Sequence, residues 1–154
     1  MLPEEKKFKY FAFISYSSKD IAWGRKIQRK LEHYRLPARL QKKDAPSRAY
    51  PVFRDETDLS GFKVRDALEK ELEDSKYLIV ICSPRSAASD WVNDEIRYFI
   101  DHGREHCILP FIVDGIPGSG DPATECFPPA LLEMTEDPLG VDVRALGLRG
   151  AICA

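Results

Sequence analysis

The run KYLIVICSP, residues 76–84, constrains the fold of this chain more than any other stretch. From Leu78 to Cys82 no polar side chain interrupts it. A strand with one wet face alternates apolar and polar residues; a strand apolar at every position is covered on both faces, as in a parallel sheet under helices. The rest of the chain supplies the partners. FKYFAFISYS reads as a strand, YPVFR as a short one that breaks into a polar loop at Asp55, and CILPFIVDG as a fourth. Between them lie helical patterns. In SKDIAWGRKIQRKLEHYR, Ile21, Ile27 and Leu31 repeat at near-helical spacing, with Asp20 as an N-cap neighbour and Pro37 as the stop. VRDALEKELEDS carries the stripe Val64, Leu68 and Leu72, and AASDWVNDEIRYFIDHG is a third helix stopped by Gly103.

Strands alternating with helices require crossover connections and a sheet covered on both sides. The expected fold is α/β, a flavodoxin-like doubly wound sandwich with a central, mostly parallel five-stranded sheet flanked by helices. Residues 1–134 form its body. Residues 135–154 form a C-terminal tail, truncated or joined to a further region, with a short fifth strand around Val141–Arg144. No internal repeat or low-complexity segment is visible.

In doubly wound sheets, ligands bind outside the carboxyl ends of the strands. Those ends are Ser15-Tyr16-Ser17, Arg54-Asp55, Ser83-Pro84 and Asp114-Gly115, and the third helix begins just beyond one of them. On that helix Trp91 and Glu95 are four residues apart and share a face. The pair is compatible with a site that grips a flat ring beside developing positive charge. Glu95 is equally compatible with a solvated helix face, and Trp91 with the core. Tyr16 can likewise be a strand-end ring packed on the first helix, and Asp55 a turn residue.

Composition narrows the function classes. The hydrophobic fraction of 44% and charged fraction of 31% are ordinary for a globular domain, and a net charge of −2 gives no electrostatic footprint for nucleic acid. The apolar runs are strand-sized, so no membrane span is expected, nor is a secretory leader. The four cysteines show no CxxC spacing and read as reduced thiols in a cytoplasmic setting, with an exposed-looking Cys126–Cys153 pair the remote disulfide alternative. His102, His106 and Cys107 do not make a four-ligand zinc framework. The basic connector of Arg35, Arg39, Lys42, Lys43 and Arg48 is too short and aromatic-poor for nucleic acid. GIPGSGDP follows a strand without opening a helix, so it is no phosphate loop, and Cys82 has no basic partner to make it a nucleophile.

Four segments, in order, resemble one family. FAFISYSSKD is similar to the first signature box of TIR domains, PVFRDETDLSGF to the second box and its BB loop, SPRSAASDWVNDEI to the segment carrying the TIR glutamate, and LPFIVDG to the next strand. The resemblance runs from about Phe8 to Leu132 and is strongest to bacterial members. It implies cleavage of NAD at the nicotinamide–ribose bond, giving ADP-ribose or a cyclic isomer, in antiphage defence or signalling. It implies Glu95 as the catalytic carboxylate and Trp91 as a ring contact. Tyr16 and Ser17 fall at the pocket rim, Asp55 on the ribose or pyrophosphate side, and Phe62 and Lys63 in a loop that closes over a neighbouring subunit's pocket. Ser17 stands where some relatives carry a basic residue, and the BB loop departs slightly in length. NAD is implied as substrate with no metal or cofactor; the implied partners are further copies of the domain and a fused or separate sensor or effector. The alternative within the family is a non-catalytic module acting by TIR–TIR assembly.

Overall fold

The computed structural model describes residues 8–33, 51–54, 65–135 and 140–144. The apolar run is its central strand, β3 (Ser75–Cys82). Strands β1 (Tyr10–Ser15), β2 (Val52–Arg54), β4 (Ile108–Ile112) and β5 (Val141–Asp142) complete a sheet in the order β2-β1-β3-β4-β5. Every neighbouring pair is parallel, with Ile14 opposite Ile79 and Ile79 opposite Leu109. The helices are α1 (Ile21–His33), α2 (Arg65–Glu73), the short α3 (Pro84–Ala87), α4 (Asp90–Asp101) and the short α5 (Pro129–Leu132). None of the described helices is long and apolar enough to cross a membrane.

Period-two alternation divides the central strands between two cores. Phe13, Leu78, Val80 and Cys82 pack with Leu68 and Leu72 of α2 and with Val92, Ile96 and Phe99 of α4. Ala12, Ile14, Ile79 and Ile81 pack with Ile27 of α1 on the other face. Double-sided burial is therefore the reason β3 is apolar throughout. The fifth strand is shorter than the sequence suggests because Val143 leaves the ladder to bury its side chain, 2% exposed, while its N–H still reaches the Ile112 carbonyl.

One expectation needs refining and another correcting. Asp20 directly precedes α1, as expected, but its side chain serves elsewhere: Ser17 caps the 3-10 turn at Ser18–Asp20, and the Asp20 carboxylate is buried, accepting from Ser83 Oγ at 2.6 Å and Arg85 Nε at 2.7 Å. A carboxylate out of water needs such donors. Cys126 is not exposed but fully buried, with a free thiol that burial pushes up to about 11. Burial likewise pushes the Cys82 thiol well above its usual range, so both stay protonated at neutral pH. Val64, the connector from Arg35 to Arg48, and Cys153 lie outside the described residues.

Gly115, just after β4, has φ of +90°, and a Cβ there would meet the Thr124 carbonyl oxygen at 2.5 Å and Cys126 Cβ at 2.9 Å. Both the backbone conformation and the space demand glycine. The variant Gly115→Ala is expected to lose about 2 kcal/mol or more. The check is a lower urea midpoint at unchanged m-value.

Candidate active site

The buried stripe of α4 is Val92, Glu95, Ile96 and Phe99, a spacing of three, four and seven residues. Glu95 therefore occupies a core-facing position, only 6% exposed, and is not part of the solvated face. Ser89 sets the phase of the helix by accepting from the Val92 N–H at 3.2 Å, and the helix ends at His102 before Gly103 with φ of +70°. His102 stacks on Tyr98 with ring centroids 4.0 Å apart. Among the described residues, no three His, Cys, Asp or Glu side chains group to hold a metal.

The buried carboxylate is met from the sheet. Ser15, the last residue of β1 and 1% exposed, donates its hydroxyl to Glu95 Oε1 at 2.8 Å. In the strand order β2-β1-β3-β4-β5 the connections diverge between β1 and β3, where such sheets open a crevice at their carboxyl ends. Ser15 ends one of those two strands. A small cleft of about 60 Å³, open to solvent, is lined in part by Glu95. It is lined by Leu68, Glu69 and Leu72 of α2 and by Trp91, Asp94, Glu95 and Tyr98 of α4. Burial holds the Tyr98 phenol in its neutral form, reinforced by Glu73 and Glu69. The cleft thus offers aromatic and aliphatic walls with carboxylates among them, a combination that favours a flat ring bearing positive charge. The described residues enclose far less room than a whole small-molecule site, so they form only part of one.

The other residues singled out in the sequence separate into three groups. Trp91 lines the cleft while packing against the α4-side core. Tyr16 and Ser17 are at the carboxyl end of β1, but neither lines the cleft. The Tyr16 ring packs into the α1-side core beside Gly24, and its hydroxyl accepts from Arg54 Nη1 at 3.3 Å. Ser17 Oγ accepts from the Lys19 N–H at 3.3 Å. Asp55, Phe62 and Lys63 lie outside the described residues.

Sequence reasoning placed Ser15 at a ligand-facing strand end without giving it a role, and missed Glu69, Asp94 and Tyr98. Tyr98 was within reach, since Trp91, Glu95 and Tyr98 follow the same helical spacing of four and seven. It missed as well a polar clamp around the crevice. Asp20 follows β1, Ser83 and Arg85 follow β3, and Asp114 follows β4. Arg85 joins them, with Nε on Asp20 and Nη1 on Asp114 at 3.2 Å. The Asp20 hydrogen bond holds the Arg85 guanidinium more firmly protonated, against an opposing effect of burial.

Comparison with known proteins agrees with this architecture. The TIR domain profile matches residues 12–133. The chain is 33% identical over 146 residues to the NAD(+) hydrolase ApTIR of an Actinoplanes species, covering 88% of this chain and 19% of that protein. It therefore spans about a fifth of that relative's length. Among solved structures it is similar to the TIR domains of the activated Roq1 resistosome that directly recognizes the pathogen effector XopQ, with a TM-score of 0.50 and 20% identity. That match covers 72% of this chain and 61% of the other, and bears on the fold alone.

Proposed function

The chain belongs to the TIR domain family, and from that premise we propose that it cleaves the nicotinamide–ribose bond of NAD with Glu95 as the catalytic carboxylate. One observation carries the reading: a buried carboxylate, held by Ser15 at the carboxyl end of β1, lines a cleft beside Trp91. Burying a charge costs stability unless something is gained from it, and clefts are where such groups serve chemistry. The similarity to an NAD(+) hydrolase supports the choice of substrate.

The chemistry suits so sparse a site. Ordinary glycosidases need an acid to protonate a departing alkoxide and a second carboxylate opposite it. Nicotinamide leaves a cationic pyridinium as a neutral base, so its departure needs no proton. Positive charge instead develops on the ribose, at the anomeric carbon and ring oxygen. Glu95 accepts from the ribose hydroxyls and stabilises that charge in a site shielded from bulk water. Trp91 packs against a ring of the substrate and excludes water from that side. Water adding to the cation gives ADP-ribose and a proton; an adenine nitrogen or ribose hydroxyl of the same molecule gives a cyclic isomer. NAD is the substrate, and no metal or further cofactor enters the scheme.

Because the described cleft is too small to be a whole dinucleotide site, the remainder is contributed by Asp55 and, from a second copy, by Phe62 and Lys63. Activity then follows assembly, as expected of a signalling or antiphage domain switched on by an attached or separate sensor. Specific activity should rise with protein concentration, steeply where the copies begin to associate, since weak association leaves the site incomplete in dilute solution. Nicotinamide release at a series of concentrations tests this; a flat specific activity from dilute to concentrated protein refutes the composite site. Mass spectrometry of the products from wild type and Glu95→Gln tests the reaction itself. Absence of nicotinamide even from concentrated wild-type protein leaves a docking module.

A further inference from the structure

We propose that Ser15 is a positioning residue for Glu95, fixing the plane of its carboxylate; the inference rests on the reading of Glu95 as catalytic. Ser15 is the last residue of β1, a strand held on both sides by β2 and β3, and its side chain is 1% exposed. Its backbone position is therefore set by the sheet. Alternation from Phe13 turns the Ser15 side chain to the α4 face, while Ile14 and Tyr16 turn to α1. The hydroxyl donates to Glu95 Oε1 at 2.8 Å, a buried bond between residues 80 positions apart.

A glutamate on a helix has three rotatable side-chain bonds, and its last torsion is broad. A donor at Oε1 supplied from the rigid sheet narrows that freedom, because holding one oxygen of a planar carboxylate restricts the bearing of the other. Ser15 is the right length for this task. It reaches the helix from the sheet without entering the cleft, and it is not among the residues that line it. Ser15 therefore acts on the substrate only through Glu95, by making a near-attack geometry the resting one.

The conservative variants separate this role from simple packing. Thr keeps the hydroxyl on a residue suited to strands, Cys keeps the size with a weaker donor, and Ala removes the donor. The steady-state kinetics of nicotinamide release should show kcat falling by roughly 10- to 100-fold in Ser15→Ala, with KM within about two-fold of wild type. Ser15→Thr should recover most of kcat and Ser15→Cys should fall between. Circular dichroism melts of each variant accompany the assay; if the Ala variant does not fold, the Cys and Thr pair decides. Wild-type kcat in Ser15→Ala, beside an inactive Glu95→Gln, overturns the positioning role and leaves the catalytic reading standing. Equal losses in the Ala and Thr variants overturn it too. Glu95→Gln as active as wild type fails the catalytic reading instead, whatever the Ser15 variants do.

Discussion

Glu95→Gln is expected to lower nicotinamide release on the order of a thousand-fold while leaving the melting temperature unchanged or a few degrees higher. The two halves of that expectation come from one fact. Glu95 sits in the apolar stripe of α4, 6% exposed, where a charge is paid for in desolvation. Gln has the same shape, and its carbonyl oxygen can accept from Ser15 Oγ where Oε1 does now. What disappears is the negative charge, and with it both the cost of burial and the stabilisation of a ribosyl cation. Neutral replacements of buried ionic groups are often harmless or favourable to stability, and catalytic groups commonly trade stability for activity. Turnover at constant protein concentration, paired with a thermal melt, checks both halves. Undiminished turnover removes the carboxylate from the mechanism. A sharp loss of melting temperature alongside lost activity would instead make Glu95 a structural anchor between α4 and β1.

Much of this site was legible in the sequence, and the α4 stripe shows where reading stopped short. Val92, Ile96 and Phe99 define the buried face and Glu95 lies between them, whereas the Trp91–Glu95 pair considered by itself left a solvated charge open. Trp91 and Glu95 were correctly placed on one face, and the cleft wall extends that face by one step to Tyr98. The short helix α3 was also signalled locally: Ser83 and Ser86 cap it reciprocally, and Pro84 occupies its first turn. The sheet followed from β3, whose unbroken apolar run admits burial on two faces and little else.

What could not be read are the long-range polar pairs. Alternation fixes which face Ser15 occupies, but nothing local specifies a helix residue 80 positions later as its partner. Asp20 and Ser83, 63 positions apart, pose the same problem. In sequence, Asp20 is a polar residue at a helix start; only the converging ends of β1 and β3 turn it into a buried acceptor. Family resemblance drew notice to Tyr16 and Ser17 because they follow the first signature box. Strand periodicity, applied one residue earlier, points to Ser15 as the side chain facing α4.

Phe99→Ala is expected to remove about 3–5 kcal/mol of stability, the largest loss available from a single residue of α4. The ring is fully buried, so truncation removes its transfer energy and leaves a cavity in the core shared by α2, α4 and the sheet. It also loses a second function. The Arg104 guanidinium sits 4.1 Å from the Phe99 ring centroid. From there Arg104 donates to the carbonyls of Leu72, Ser75 and Lys76, closing the junction between α2 and β3. Without the ring, that cation loses a favourable face, worth about 0.5–1 kcal/mol where partly exposed. For a chain of this length the sum lowers the melting temperature by roughly 10 °C. Out of a total stability of about 5–15 kcal/mol, such a loss leaves the domain marginal. Phe99 lies one turn beyond Glu95 on the same stripe but does not line the cleft. Activity per folded molecule, measured well below the melting point, should therefore stay near wild type, while activity near 37 °C collapses. A variant that melts like wild type would show that the core refills the cavity. One that folds fully yet turns over slowly would show that Phe99 sets the register of α4, and through it the carboxylate.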